Sequence, residues 1–236
     1  MTTWLAILCL AVAMVVIGSI RDVSAQTPAA PVVEGNIYSV MYVEVRPTAR
    51  ADATTELRRY RDAARGENGN LRAELVSRIG QPHQFVVLSV WKDQKAHEAH
   101  GKSASAGQMR EKIQTIRVAP LDERVHVGVS VGPVQSGAAR DAVYVVTHVD
   151  VIPPRKDDGL AALKLLGDAG RAGAGNARFE VVQQTNRANH FSVIEIWKDL
   201  QAVESHAMSD ATRRFRDALG PISGSLYDER MYKAIE

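Results

Sequence analysis

The chain has 236 residues, 29 Lys+Arg against 27 Asp+Glu and a formal charge of +2, a length that suits two small domains better than one. Near-neutrality, 6% aromatic content and the lack of a basic stripe interleaved with aromatics exclude nucleic acid and anionic surfaces as expected partners. Cys9 is the single cysteine and lies in an apolar leader, so the rest of the chain has no disulfide, thiol nucleophile or thiolate metal ligand.

Residues 4–20 form an apolar run of about 17 residues, followed by Val23-Ser24-Ala25 before Gln26, which fits the small-residue rule for signal-peptidase cleavage. Residues 1–25 are therefore expected to be a signal peptide, and the polar, Pro-rich residues 26–36 a disordered leader. The folded part is then periplasmic or secreted, with no membrane contact after cleavage. An uncleaved anchor is the alternative, because no Lys or Arg precedes the run and a stretch of this length can just span a bilayer.

Residues 37–45 alternate, are rich in Val and Tyr, and are closed by Pro47, which predicts a strand. Spaced apolar positions over residues 52–64 predict a helix. Residues 70–79 and 84–91 read as two strands joined by Gly80-Gln81-Pro82-His83, a hairpin turn. Asp93 can cap a helix that runs through His100 and breaks near Gly101 or Ser103. A further helical stretch reaches about Arg117, and residues 122–130 form the last strand.

The whole pattern then recurs. Trp91-Lys92-Asp93 returns 106 residues later as Trp197-Lys198-Asp199, and the same offset pairs Gly69-Asn70 with Gly175-Asn176, His100 with His206 and Arg110 with Arg216. Roughly 29 of about 90 aligned positions are identical, where chance gives about one in sixteen. We therefore expect domains at residues 37–130 and 143–236, joined by a Gly-, Pro- and Ser-rich linker at residues 131–142. The order β-α-β-β-α-β predicts an α+β fold of two ferredoxin-like modules, each an antiparallel sheet with helices on one face. Burying the two open sheet faces against each other removes apolar area from water, worth about 25 cal/mol per Å². An intramolecular pseudo-dimeric barrel follows. Arg72 with Glu74, and Arg178 with Glu180, share a strand face and are expected to pair across strands or at the seam.

Phe85 to Asp93 followed by Ala96 and His100, and Phe191 to Asp199 followed by Ala202 and His206, resemble the antibiotic biosynthesis monooxygenase (ABM) family of the dimeric α+β barrel superfamily. The signature is a strand ended by Trp and then a helix bearing His. The resemblance covers nearly all of the chain after the leader and implies a pocket between each sheet and its helices. It also implies cofactor-free oxygenation of a small phenol or quinol, with molecular oxygen as co-substrate and no metal. In haem-degrading relatives a His ligand stands where this chain has Arg110 and Arg216, and a Trp where it has His100 and His206. Haem is therefore disfavoured, since a guanidinium is no axial ligand.

His206 and His100 are the candidate bases, because an unperturbed imidazole titrates near pH 6.5, with a helix-capping or core-satisfied imidazole as the equal alternative. Trp197 and Trp91 are candidates for substrate stacking, beside the favoured role as core plugs at the sheet–helix seam. Arg216 and Arg110 can hold a phenolate or superoxide oxygen. Thr147 occupies the place of Met41, so the second module looks the more polar. His148 alternates to the opposite face, toward the seam. His97 and His100 share an H-x-x-H spacing, but Val203 stands opposite His97 and no third ligand is evident. The favoured function is an exported monooxygenase for a small aromatic compound. Alternatives are a non-catalytic ligand-binding module and a proton-transfer isomerase. Further homo-oligomerisation through free sheet edges stays open.

Overall fold

A computed structural model describes residues 35–133 and 140–236. The expected signal peptide, most of the leader and the middle of the linker lie outside the described residues. The first module runs β1 (Ile37–Glu44), α1 (Arg50–Gly66), β2 (Asn70–Arg78), β3 (Gln81–Trp91), α2 (Gln94–Gly101), α3 (Ala104–Ile116) and β4 (Asp122–Ser130). The second repeats it as β5 (Val143–Asp150), α4 (Lys156–Arg171), β6 (Asn176–Gln184), β7 (His190–Trp197), α5 (Leu200–Ala207), α6 (Asp210–Leu219) and β8 (Asp228–Ala234).

Each module forms the antiparallel order β4-β1-β3-β2 or its equivalent, and the two sheets join edge to edge. β2 pairs with β8, and β4 with β6, which closes an eight-stranded barrel. Those junctions occupy the sheet edges that each module by itself leaves free. Period-two alternation then sorts side chains to two environments. Val40, Leu88 and Val90 meet Val146, Ile194 and Ile196 inside the barrel. The opposite face carries the helices: Leu57 and Ile113 pack on Leu75 and Val87 in the first module, and Leu163 and Phe215 on Val193 in the second.

Four charges cross the barrel interior. The Arg72 guanidinium donates to both Glu180 oxygens at 2.9 and 2.7 Å, and Arg178 donates to Glu74 at 2.5 Å. The Tyr144 hydroxyl adds a bond to Glu74 at 3.1 Å. All four charged residues are buried, so the expected pairing at the seam is what forms.

The repeated Gly-Asn has a backbone reason. Gly69 and Gly175 adopt φ of +90° and +83°, and a Cβ would come within 2.6 Å of Ala96 and 3.0 Å of Ala202. These glycines let the following helix sit close on its strand. One expectation is corrected. The first hairpin turns on Ile79-Gly80 alone, with Gly80 at φ +81°, and β3 starts already at Gln81. The ladder steps from Ser77–Phe85 to Arg78–Gln81, so Pro82 falls at an irregularity, where its missing N–H breaks no bond.

Removing one partner of a buried pair leaves an uncompensated charge. Glu180→Ala is expected to lose about 3–5 kcal/mol in urea denaturation, while Arg72→Met combined with Glu180→Leu loses far less. Equal losses for both would refute this account of the seam.

Candidate active site

The helix after each Trp-ended strand is set by its cap. The Asp93 carboxylate accepts from Ala96 N at 2.7 Å, and Asp199 from Ala202 N at 2.8 Å. Capping satisfies an otherwise orphaned N–H and fixes where the helix starts. His100 and His206 are thereby carried back over the tryptophans. The His100 ring stacks on Trp91 at 4.5 Å and 26°, and His206 on Trp197 at 4.7 Å and 28°. The expected His–Trp constellation forms twice.

Around it the modules differ. His100 is 4% exposed, with Nδ1 at 2.9 Å from Glu67 and Nε2 at 2.7 Å from the Tyr60 hydroxyl. Both ring nitrogens are engaged. At the equivalent positions the second module has Gly173 and Leu166, which offer no such partners. His206 Nε2 lies 3.5 Å from Thr212 Oγ1 and 3.7 Å from Glu195 Oε2. Burial holds both imidazoles below their ordinary range; Glu67 pulls His100 partly back, whereas Arg216 pushes His206 further down. Both downward shifts favour the neutral imidazole over the cation near pH 7.

Glu195 is a buried group beside this histidine that sequence reasoning missed. It replaces Ser89, and it accepts the Trp197 Nε1–H at 2.7 Å as Ser89 accepts that of Trp91 at 2.9 Å. Only 5% exposed, its carboxyl is pushed up to about 8 by burial, opposed by the Trp197 bond and reinforced by Glu229. It is a neutral acid at pH 7. The contact with His206 is therefore carboxylic acid to imidazole, which is why Glu195 does not raise the histidine. An acid between apolar neighbours in Val193-Ile194-Glu195-Ile196-Trp197 was the available signal.

Thr147 is wholly buried and its Oγ1 has no hydrogen-bond partner among the described residues. It sits beside Val193 and Glu229 in the sheet, one same-face step from Glu195. Arg216 lies 3.8 Å from Glu229 and 5.5 Å over the Tyr227 ring, half-exposed at the rim. Arg110 is exposed and influences Tyr60 through its charge. His97 turns to Glu123 at 3.0 Å, apart from the partners of His100. Among the described residues no group of three or more His, Cys, Asp or Glu is placed to hold a metal. His148 meets His190 at 3.3 Å.

The expected apolar cavity beneath each helical layer is corrected. Trp91 and Trp197, 0% and 1% exposed, fill that space. Clefts of about 350 and 180 Å³ open instead at the barrel mouth, beside Arg124 and His148 or Tyr42 and Tyr232, and one of about 230 Å³ lies between α4 and α6. Neither His100 nor His206 lines them. The His206 side chain keeps 12% exposure against 4% for His100, so the second is the more accessible.

The pattern of the family described as antibiotic biosynthesis monooxygenase matches residues 36–112 and again residues 142–218. The chain belongs to this family. Two similar proteins are described in the words "Putative monooxygenase". YcnE of Bacillus subtilis (strain 168) is 31% identical over 81 residues, which are 34% of this chain and 85% of that protein. A solved structure from Fusobacterium nucleatum subsp. nucleatum ATCC 25586 matches 86% of this chain and 93% of its own, with a TM-score of 0.74 and 14% identity. A solved anthrone oxidase-like protein matches 87% of this chain and 95% of its own, with a TM-score of 0.71 and 14% identity. At these identities the two structures show a shared fold. Among the described residues no helix is long and apolar enough to cross a membrane.

The raised carboxyl has a thermodynamic signature. Between its ordinary 4.5 and about 8 the folded chain holds a proton that the unfolded chain releases. Stability therefore falls as pH rises through that window, by about 1.4 kcal/mol per pH unit. Thermal melts of wild type and Glu195→Gln should diverge over this range, with the variant gaining relative stability toward pH 8. Parallel curves would show that Glu195 ionises normally.

Proposed function

We propose that the chain is a cofactor-independent monooxygenase that oxidises a small phenol or quinol outside the cytoplasm, with the second module as its working half. The observation that carries this reading is the state of His206, a neutral imidazole backed by Trp197 and free of the two locks that hold His100. His206 takes the phenolic proton, and the electron-rich phenolate gives an electron to dioxygen. Recombination forms a carbon–oxygen bond and a peroxide. Loss of the ring C–H proton and cleavage of the O–O bond then yield quinone and water, so that phenol plus O2 balances quinone plus H2O. Arg216 at the rim and the Thr147 hydroxyl, unpartnered among the described residues, are the groups assigned to the developing oxyanion. Trp197 acts through the histidine it supports. Membership of the ABM family supports the reaction class, and residues 4–25 of the sequence support export. Arg110 and Arg216 provide no axial ligand for haem, and no step needs one.

Oxygen consumption with a panel of hydroquinones tests the reading. His206→Ala should lower uptake by about 10²–10⁴-fold, the usual weight of a general base. His100→Ala should spare the chemistry while destabilising the first module by about 1–3 kcal/mol, because it strips buried partners from Tyr60 and Glu67. Turnover under argon would replace this reading with a proton-transfer isomerase, and binding without turnover would replace it with a ligand-binding module.

A further inference from the structure

The second module carries a buried carboxyl group that the reaction above does not consume. Glu195 Oε2 receives the Trp197 Nε1–H at 2.7 Å and faces His206 Nε2 at 3.7 Å. Nε2 also lies 3.5 Å from Thr212 Oγ1, whose hydroxyl donates to the His206 carbonyl at 2.7 Å, so that oxygen is left to accept and Nε2 carries the proton. Glu195 Oε2 therefore faces two N–H groups, which leaves the proton of the acid on Oε1. We infer that Glu195 is a positioning residue acting as a neutral acid, whose Oε2 backs the Nε2–H that Thr212 Oγ1 accepts and so biases His206 toward the tautomer that leaves Nδ1 open to take the substrate proton. The inference rests on the proposed reading only for what the proton is taken from.

The first module supplies an internal comparison. There the carboxyl is replaced by Ser89, which still takes the tryptophan N–H, and the histidine is held from its other sides by Glu67 and Tyr60. A structural histidine in this fold thus manages without a buried acid under it. Retaining one under His206 carries a desolvation cost if the group is ionised, which the neutral form avoids. The 3.7 Å separation is longer than a hydrogen bond, and catalytic bonds of this kind tighten when substrate binds.

Ionisation of Glu195 would place a negative charge beside the imidazole, raise its affinity for protons and occupy the base before substrate arrives. Neutrality is therefore part of the arrangement. The charged and titratable groups facing the carboxyl are His206 from α5, Arg216 from α6, Tyr227 from the segment before β8 and Glu229 from β8. Glu229 opposes ionisation and Arg216 favours it. Arg216 also reaches Glu229 at the rim, which weakens its pull on Glu195.

The test uses the full chain and two readouts that need no turnover. Infrared difference spectra at pH 7 should show a protonated-carboxyl C=O band that disappears in Glu195→Gln. Ring ¹⁵N shifts should report the Nε2–H tautomer of His206 in wild type and in Glu195→Gln, whose amide oxygen can still accept, and a tautomer mixture in Glu195→Ser. A missing carboxyl band, or an unchanged tautomer in Glu195→Ser, overturns the inference even if phenols are oxidised. Both signals present with no oxygen uptake would sink the proposed reaction and leave the positioning role standing. With a turning-over phenol, the rate should change near pH 8 in wild type but not in Glu195→Gln. Glu195→Gln should also recover most of the roughly tenfold or greater loss expected for Glu195→Ser. Identical pH profiles in wild type and Glu195→Gln count against it.

Discussion

The crossed pairing of Arg72 with Glu180 and Arg178 with Glu74 is the constraint on which the rest of the barrel depends. The junctions that close the barrel are short: β2 and β8 share three residue pairs, and β4 and β6 share four. Apolar side chains inside the barrel tolerate sliding, but a bidentate guanidinium–carboxylate contact does not. Buried ion pairs are poor sources of net stability and good sources of register. Here they fix how one module faces the other, and each strand that carries them also presents its alternate residues to a helical layer.

The helical layers show how two copies of one plan come to hold their histidines differently. Capping aspartates and close-approach glycines are common to both, so both imidazoles land on their tryptophans. The differences lie one layer out, at Tyr60 against Leu166, Glu67 against Gly173 and Ser89 against Glu195. In the first module the polar groups satisfy the histidine completely. In the second the buried Glu195 lies beneath it, the Thr147 hydroxyl has no partner among the described residues and Arg216 is half-exposed at the rim. A satisfied network rigidifies a core, whereas an unsatisfied buried group marks a place where stability has been given up.

Most of the architecture was legible because the duplication keeps its register. A gapless 106-residue offset lets weak signals in one copy be checked in the other, and the seam charges stood out because they repeat on one strand face. The start of β3 was misplaced because Pro82 looks like turn chemistry, while the ladder irregularity that accommodates it leaves no trace in composition. Glu195 escaped notice for the opposite reason: attention to what repeats passes over the position where one copy has Ser89. The cavity beneath each helical layer was an implication of family resemblance rather than of residues, and the packing of Trp91 and Trp197 depends on side-chain volumes that pattern alone does not weigh.

Joining both halves in one polypeptide has a consequence for how such a protein can change. In a barrel assembled from two identical chains, every mutation is written into both subunits at once, so a residue that improves one site must be tolerated at the other. Fusion lifts that obligation. An acid that would burden both halves of a symmetric assembly burdens only one here, while its sister half keeps Ser89 and a fully bonded His100.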